Sequence, residues 1–158
     1  MALLTTCCAS RRRIFSDPGR ASLATEKIRR LHGDTWRILG FCVMPDHIHL
    51  LVFNLNGSIV DLMRLLKGRI AKGLRGQIDG TLWQRSFHDH FLRRNEDINR
   101  TLLYMLENPV RAGLAREWPE YPWCGSPQWP HMDAEFFRVN PKDVMWSEVF
   151  RFVTTEPE

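Results

Sequence analysis

The chain has 158 residues, 44% of them apolar and 25% charged, with a formal net charge of +4. This is the composition of one soluble folded domain and excludes fibrous, low-complexity and disordered classes. No apolar run reaches membrane-spanning length, and the apolar N-terminal residues precede the basic cluster Arg11-Arg12-Arg13, the reverse of a secretory signal.

In chain order, ALLTTCCAS (2–10) is rich in β-formers and reads as a first strand. Residues 16–32 read as a helix: Ser16 or Asp17 caps it, Pro18 suits its first turn, and Arg29, Arg30 and His32 complement its C-terminal end. Gly33-Asp34 breaks it. A second strand (35–44) and a third (47–55) are joined by the tight turn Pro45-Asp46, an antiparallel hairpin. Residues 58–76 form an amphipathic basic helix, with Ile59, Leu62, Leu66 and Ile70 on one face and Arg64, Lys67, Lys72 and Arg75 elsewhere. A fourth strand is expected over 81–93 and a third helix over 95–108, ended by Asn108-Pro109 because a residue before proline is pushed out of the α region.

The order β-α-β-β-α-β-α is a split βαβ pattern. The fold class it predicts is α+β: a ferredoxin-like or RRM-like antiparallel sheet with two helices on one face and the other face free. A domain over residues 1–126 is followed by a Trp/Pro-rich, partly helical C-terminal extension (127–158), expected to pack on the same domain.

Charge and cysteine usage bound the function. Residues 1–80 hold 13 Lys/Arg against 6 Asp/Glu, and residues 81–158 hold 9 against 12. A basic half suits a polyanion such as nucleic acid, although a solvated surface without a partner has the same composition. Cys7, Cys8, Cys42 and Cys124 form no CxxC pair. They read as reduced thiols of a cytoplasmic protein, not as a zinc knuckle or disulfide framework.

Strand alternation sends Ile48, Leu50 and Val52 toward the helices, and His47, His49, Leu51 and Phe53 to the opposite face. His47 and His49 are then same-face neighbours about 7 Å apart along the strand, able to converge on one ion. Two surface histidines on a polar face have the same pattern. A second pair, His88 and His90, shares a face of the fourth strand, and spacing alone does not rank the two. Tyr104 and Asn108, at i and i+4, lie on one helical face. A half-buried tyrosine and a helix-ending asparagine are the plainer reading. The only other tyrosine, Tyr121, sits among prolines.

MPDHIHLLV, GTLWQRSFHDHFLR and YMLENPVRAGL, in this order, resemble the single-tyrosine HUH transposases, and most nearly the REP-associated branch of the insertion-sequence-200-like superfamily. The resemblance runs over roughly residues 3–126. It implies that His47 and His49 bind a divalent ion, Mg²⁺ or Mn²⁺, that Tyr104 is the catalytic nucleophile and that Asn108 completes the metal site. It breaks the tie between the histidine pairs, leaving His88 and His90 to support the site or contact DNA. The implied partner is single-stranded DNA with hairpin elements, cleaved and rejoined through a 5′-phosphotyrosine link by a monomer or homodimer at the bacterial nucleoid, with no membrane partner. Arg11, Arg12, Arg13, Lys67, Arg69, Lys72 and Arg75 are candidate DNA contacts. Arg111 reads as structural or DNA-facing. The chain departs from the family in having few residues ahead of the first strand. Two rivals remain: a catalytically inactive, domesticated nucleic-acid-binding protein, and a metal-dependent phosphoesterase in which water attacks in place of Tyr104.

Overall fold

The computed structural model describes residues 1–93 and 98–132. Its centre is an antiparallel sheet of β1 (Ala2–Cys7), β2 (Trp36–Met44), β3 (His47–Asn54), β4 (His88–Phe91) and β5 (Cys124–Gly125), in the order β4-β1-β3-β2-β5. The first four strands stand in the split βαβ arrangement expected from the sequence. The two-residue β5 is added at the edge, beside β2.

Helices α1 (Pro18–Arg29) and α2 (Ile59–Gly73) are each capped by the residue before them. Asp17 accepts from Arg20 N–H, and Ser58 accepts from Val60 N–H. Their apolar stripes, Ala21, Ala24 and Ile28 with Leu62, Met63, Leu66 and Ile70, meet Leu4, Phe41, Val43, Ile48, Leu50 and Val52 in the larger core. Each buried aliphatic side chain of this kind contributes about 1.5–3 kcal/mol of transfer free energy.

The opposite face is not free, which corrects the expected layering. Helix α3 (Ile98–Leu106) lays Ile98, Leu102, Met105 and Leu106 on Leu39, Cys42, Met44 and Leu51, with Trp118, Tyr121 and Met132 closing a second core. Gly40 admits this docking. A Cβ there would collide with Leu102 and lie 2.8 Å from Met105 Cε. The β2–β3 register shifts between Ile38 and Gly40, so Gly40 lies at a bulge.

Two strand boundaries differ from expectation. β1 stops at Cys7, because Ser10 and Arg11 take φ values of 53° and 55°, outside the β region. Within residues 81–93 only His88–Phe91 pair as β4; Trp83 makes one isolated bridge to Cys8. α3 ends at Leu106 and a further helical turn, α4 (Asn108–Arg111), starts with Pro109 in its first turn. The expected start of the third helix at 95 lies outside the described residues. Trp129 and Met132 of the C-terminal extension pack in the second core, and the rest of that extension also lies outside the described residues.

Candidate metal and nucleophile centre

His47 and His49 emerge from β3 on the α3 side of the sheet. Their Nε2 atoms are 3.0 Å apart and their rings meet edge to face. Each outer nitrogen is anchored: His47 Nδ1 is 2.6 Å from Asp46 Oδ1, and His49 Nδ1 is 2.8 Å from the Thr5 hydroxyl. Asp46, in the hairpin turn, is held in turn by Arg11 Nε at 3.2 Å. The left-handed backbone at Arg11 brings its side chain back over the cleft, where it also donates to Cys7 Sγ at 2.8 Å.

His49 is kept neutral. Burial first, then the electrostatic influence of His47, Arg111 and Arg11, pushes its pKa down to about 3, against an opposing pull from Asp46. A neutral imidazole with an anchored far nitrogen is the form that binds a metal. A six-coordinate ion with bonds of about 2.1 Å sets adjacent ligand atoms about 3.0 Å apart, so the Nε2 pair fits such an ion. Among the described residues no group of three His, Cys, Asp or Glu side chains forms a cage. A metal here would take only part of its shell from side-chain nitrogens.

Thr5, Cys7, Arg11, His47, His49, Gln84 and His88 line an open cleft of about 520 Å³. Register explains why His88 belongs: Thr5 pairs with His49 on one side and with His88 on the other, so the three share one row and one face. His90 pairs with Leu3, one step along the strand on the same face, and lies outside the cleft lining. The two HxH pairs are therefore unequal, since only His47 and His49 converge.

Tyr104 projects from α3, 61% exposed. The Arg111 guanidinium lies 4.0 Å above its ring centroid and donates to the Tyr104 carbonyl at 2.6 Å. Asn108 donates its amide nitrogen to the Met105 carbonyl at 2.8 Å. That carbonyl can only accept, so the amide oxygen is directed away from it. Tyr104 and Asn108 lie outside the residues lining the histidine cleft. Tyr121 is buried, donates its hydroxyl to the Val43 carbonyl at 2.9 Å, and has its pKa raised by that burial. It is a packing tyrosine.

The profile of the IS200-like transposases matches residues 2–99, more than half of the chain. The chain belongs to this family. A Haemophilus influenzae protein named for the REP-associated tyrosine transposases is 28% identical over 97 residues, covering 51% of this chain and 55% of that protein. The chain thus matches about half the length of this curated relative. A solved structure of a REP-associated tyrosine transposase bound to a REP hairpin aligns with a TM-score of 0.62 at 20% identity, over 78% of this chain and 74% of that one. Its likeness establishes a shared fold.

For an IS200-like family member, the basic residues divide in an unexpected way. Arg12 donates to the Asp79 and Thr81 carbonyls, and Lys67 donates to the Gln84 carbonyl at 2.7 Å. Both tie the segment leading into β4 to the body. Arg75 lines a small separate cavity with Gly76 and Gly80, and Arg13 lines another with Tyr121 and Trp123. Arg69 and Lys72 of α2 join Lys27 and Arg30 beside α1 in a basic groove of about 780 Å³, on the helical face away from the histidines. Lys27 and Arg30 were missed by sequence reasoning, as were the anchoring roles of Thr5 and Asp46. Strand alternation does put Thr5 on one face of β1, but only the pairing register places it beside His49. Among the described residues no helix is long and apolar enough to cross a membrane.

Proposed function

We propose that the chain cleaves and rejoins single-stranded DNA beside hairpin elements, with Tyr104 as nucleophile. The observation that carries this reading is the pair of Nε2 atoms 3.0 Å apart, each with its far nitrogen anchored. His47 and His49 would hold Mg²⁺ or Mn²⁺, with the Asn108 amide oxygen as a third ligand. When bound, that ion would neutralise charge on the scissile phosphate.

Tyr104 Oη attacks the phosphorus and loses its proton. The P–O3′ bond breaks, the 3′ oxygen leaves as a hydroxyl, and a 5′-phosphotyrosine ester remains. Attack by a 3′-OH reverses the step. One phosphodiester replaces another, so no energy-rich co-substrate is needed. The exposure of Tyr104 leaves its hydroxyl accessible to a strand arriving from solvent. Lys27, Arg30, Arg69 and Lys72 offer a sequence-independent phosphate groove for the flanking hairpin. A hairpin is also what the aligned REP-associated structure holds.

The test is covalent trapping of labelled hairpin oligonucleotides with Mn²⁺ on a denaturing gel. The expected result is a shifted band lost with Tyr104→Phe, with His49→Ala and with chelator. Cutting that persists in Tyr104→Phe without an adduct would make water the nucleophile. Binding with neither cutting nor adduct in the wild-type protein would favour an inactive binding protein.

A further inference from the structure

Arg111 makes contacts that the proposed chemistry has not used. α3 ends at Leu106 and α4 restarts at Asn108 with Pro109 in its first turn. In an unbroken helix, residue 111 would lie about 10.5 Å along the axis from Tyr104. Seven residues on, Arg111 returns to the helical face of Tyr104, and its long side chain reaches back to it twice: Nη2 to the carbonyl at 2.6 Å, and the guanidinium over the ring at 4.0 Å. Glu107 Oε2 stands 3.7 Å from Nη1 and steadies the same group.

We infer that Arg111 is a positioning residue for Tyr104: its guanidinium fixes the exposed ring, and with it the hydroxyl, for attack. This rests on Tyr104 being the nucleophile. An exposed tyrosine on a helix turns freely about χ1 and χ2, and each wrong rotamer carries the hydroxyl several ångströms away. A planar cation bonded to the backbone carbonyl and stacked on the ring removes that freedom. The competing role is that of a surface ion pair with Glu107 that merely holds α4 in place.

The chain's two tyrosines make the test direct. Protein labelled with 3-fluorotyrosine gives one ¹⁹F resonance for Tyr104 and one for Tyr121, which is buried and serves as an internal check of folding. Arg111→Lys and Arg111→Gln are compared with wild type. The expected result is a shifted or broadened Tyr104 resonance beside an unchanged Tyr121 resonance. Single-turnover adduct formation at saturating oligonucleotide should fall about 10- to 100-fold, as misplacement of a reacting group commonly costs. Oligonucleotide affinity in chelator should change less than about threefold, because a single phosphate contact is not what is lost. Lysine should not rescue, since it keeps the charge and lacks the plane.

The proposal is overturned if the Tyr104 resonance does not move in either variant, or if both form the adduct at the wild-type rate. A variant that binds more weakly yet reacts normally at saturation makes Arg111 a DNA contact, which also overturns it. Failure of the underlying reading looks different: the wild-type protein itself then cuts without an adduct, whatever the ¹⁹F spectra show.

Discussion

Thr5 and His49 face each other across β1 and β3, and the threonine hydroxyl lies 2.8 Å from His49 Nδ1. A single hydrogen bond from a neighbouring strand thus holds the His49 ring with Nε2 toward His47. Thr5→Val keeps the shape and the β-propensity and removes that bond. Mn²⁺ affinity, measured by electron paramagnetic resonance, should fall about 10- to 100-fold while the fold is kept. Asp46→Asn should act similarly through His47. Unchanged affinity in both variants would mean that packing alone orients the rings.

The depressed pKa of His49 gives stability a definite pH dependence in the metal-free protein. Unfolded, the imidazole titrates near its ordinary value of 6.5; folded, it does so at about 3. Between these values the unfolded chain binds the extra proton, so stability is full above about pH 6.5 and declines as pH falls toward 3. The slope from this group is at most about 1.4 kcal/mol per pH unit. Thermal melts in chelator from pH 7.5 to 4.5 should show a steeper decline for wild type than for His49→Gln. Parallel curves would show that His49 does not titrate differently on folding.

Gly40 is a notch for α3. Gly40→Ala places a methyl group against Leu102 and Met105, so either α3 shifts or the sheet gives. Overpacking of this kind costs about 1–3 kcal/mol. Because α3 carries Tyr104, adduct formation should suffer beyond the loss in stability, at temperatures where the variant remains folded. Denaturant melts and single-turnover trapping on the same sample separate the two effects. A destabilised variant with wild-type trapping would mean that α3 tolerates the shift.

The basic residues should separate by task. Lys27→Gln and Arg69→Gln should weaken hairpin binding, each lowering the slope of log K against log salt by up to about 0.9, with adduct formation at saturation unaffected. Arg12→Gln, which loses two carbonyl contacts to the 79–81 loop, should lower the melting temperature more than it lowers the salt slope. Equal salt slopes for all three variants would remove the groove from the DNA path.

Much of this arrangement was legible because it is local. Alternation along residues 47–53 fixed which face the histidines share, and Ser58 with the spacing of Leu62, Leu66 and Ile70 fixed α2. What was not legible is long-range. The periodicity of α3 announces an apolar stripe but not which side of the sheet it covers, and the permission for that side is a missing side chain at Gly40. Asp46 reads as a turn former until its carboxylate is seen on His47. The alternating run 81–93 looks like one strand, yet Trp83 sends its indole N–H to the Lys67 carbonyl and only four residues of the run pair as β4. The left-handed Ser10 and Arg11 have no signature in side chains that usually avoid that region.

The sheet also works as a partition. The histidine cleft opens on its α3 side and the four-cation groove on its α1–α2 side. On the proposed function, a nucleic acid that touched both would have to travel round an edge of the molecule, and the protein would then measure length as well as charge. Trapping at limiting protein should therefore show a threshold as the oligonucleotide is extended: pieces that reach only the cleft bind weakly, and those long enough to round the edge are held at both ends.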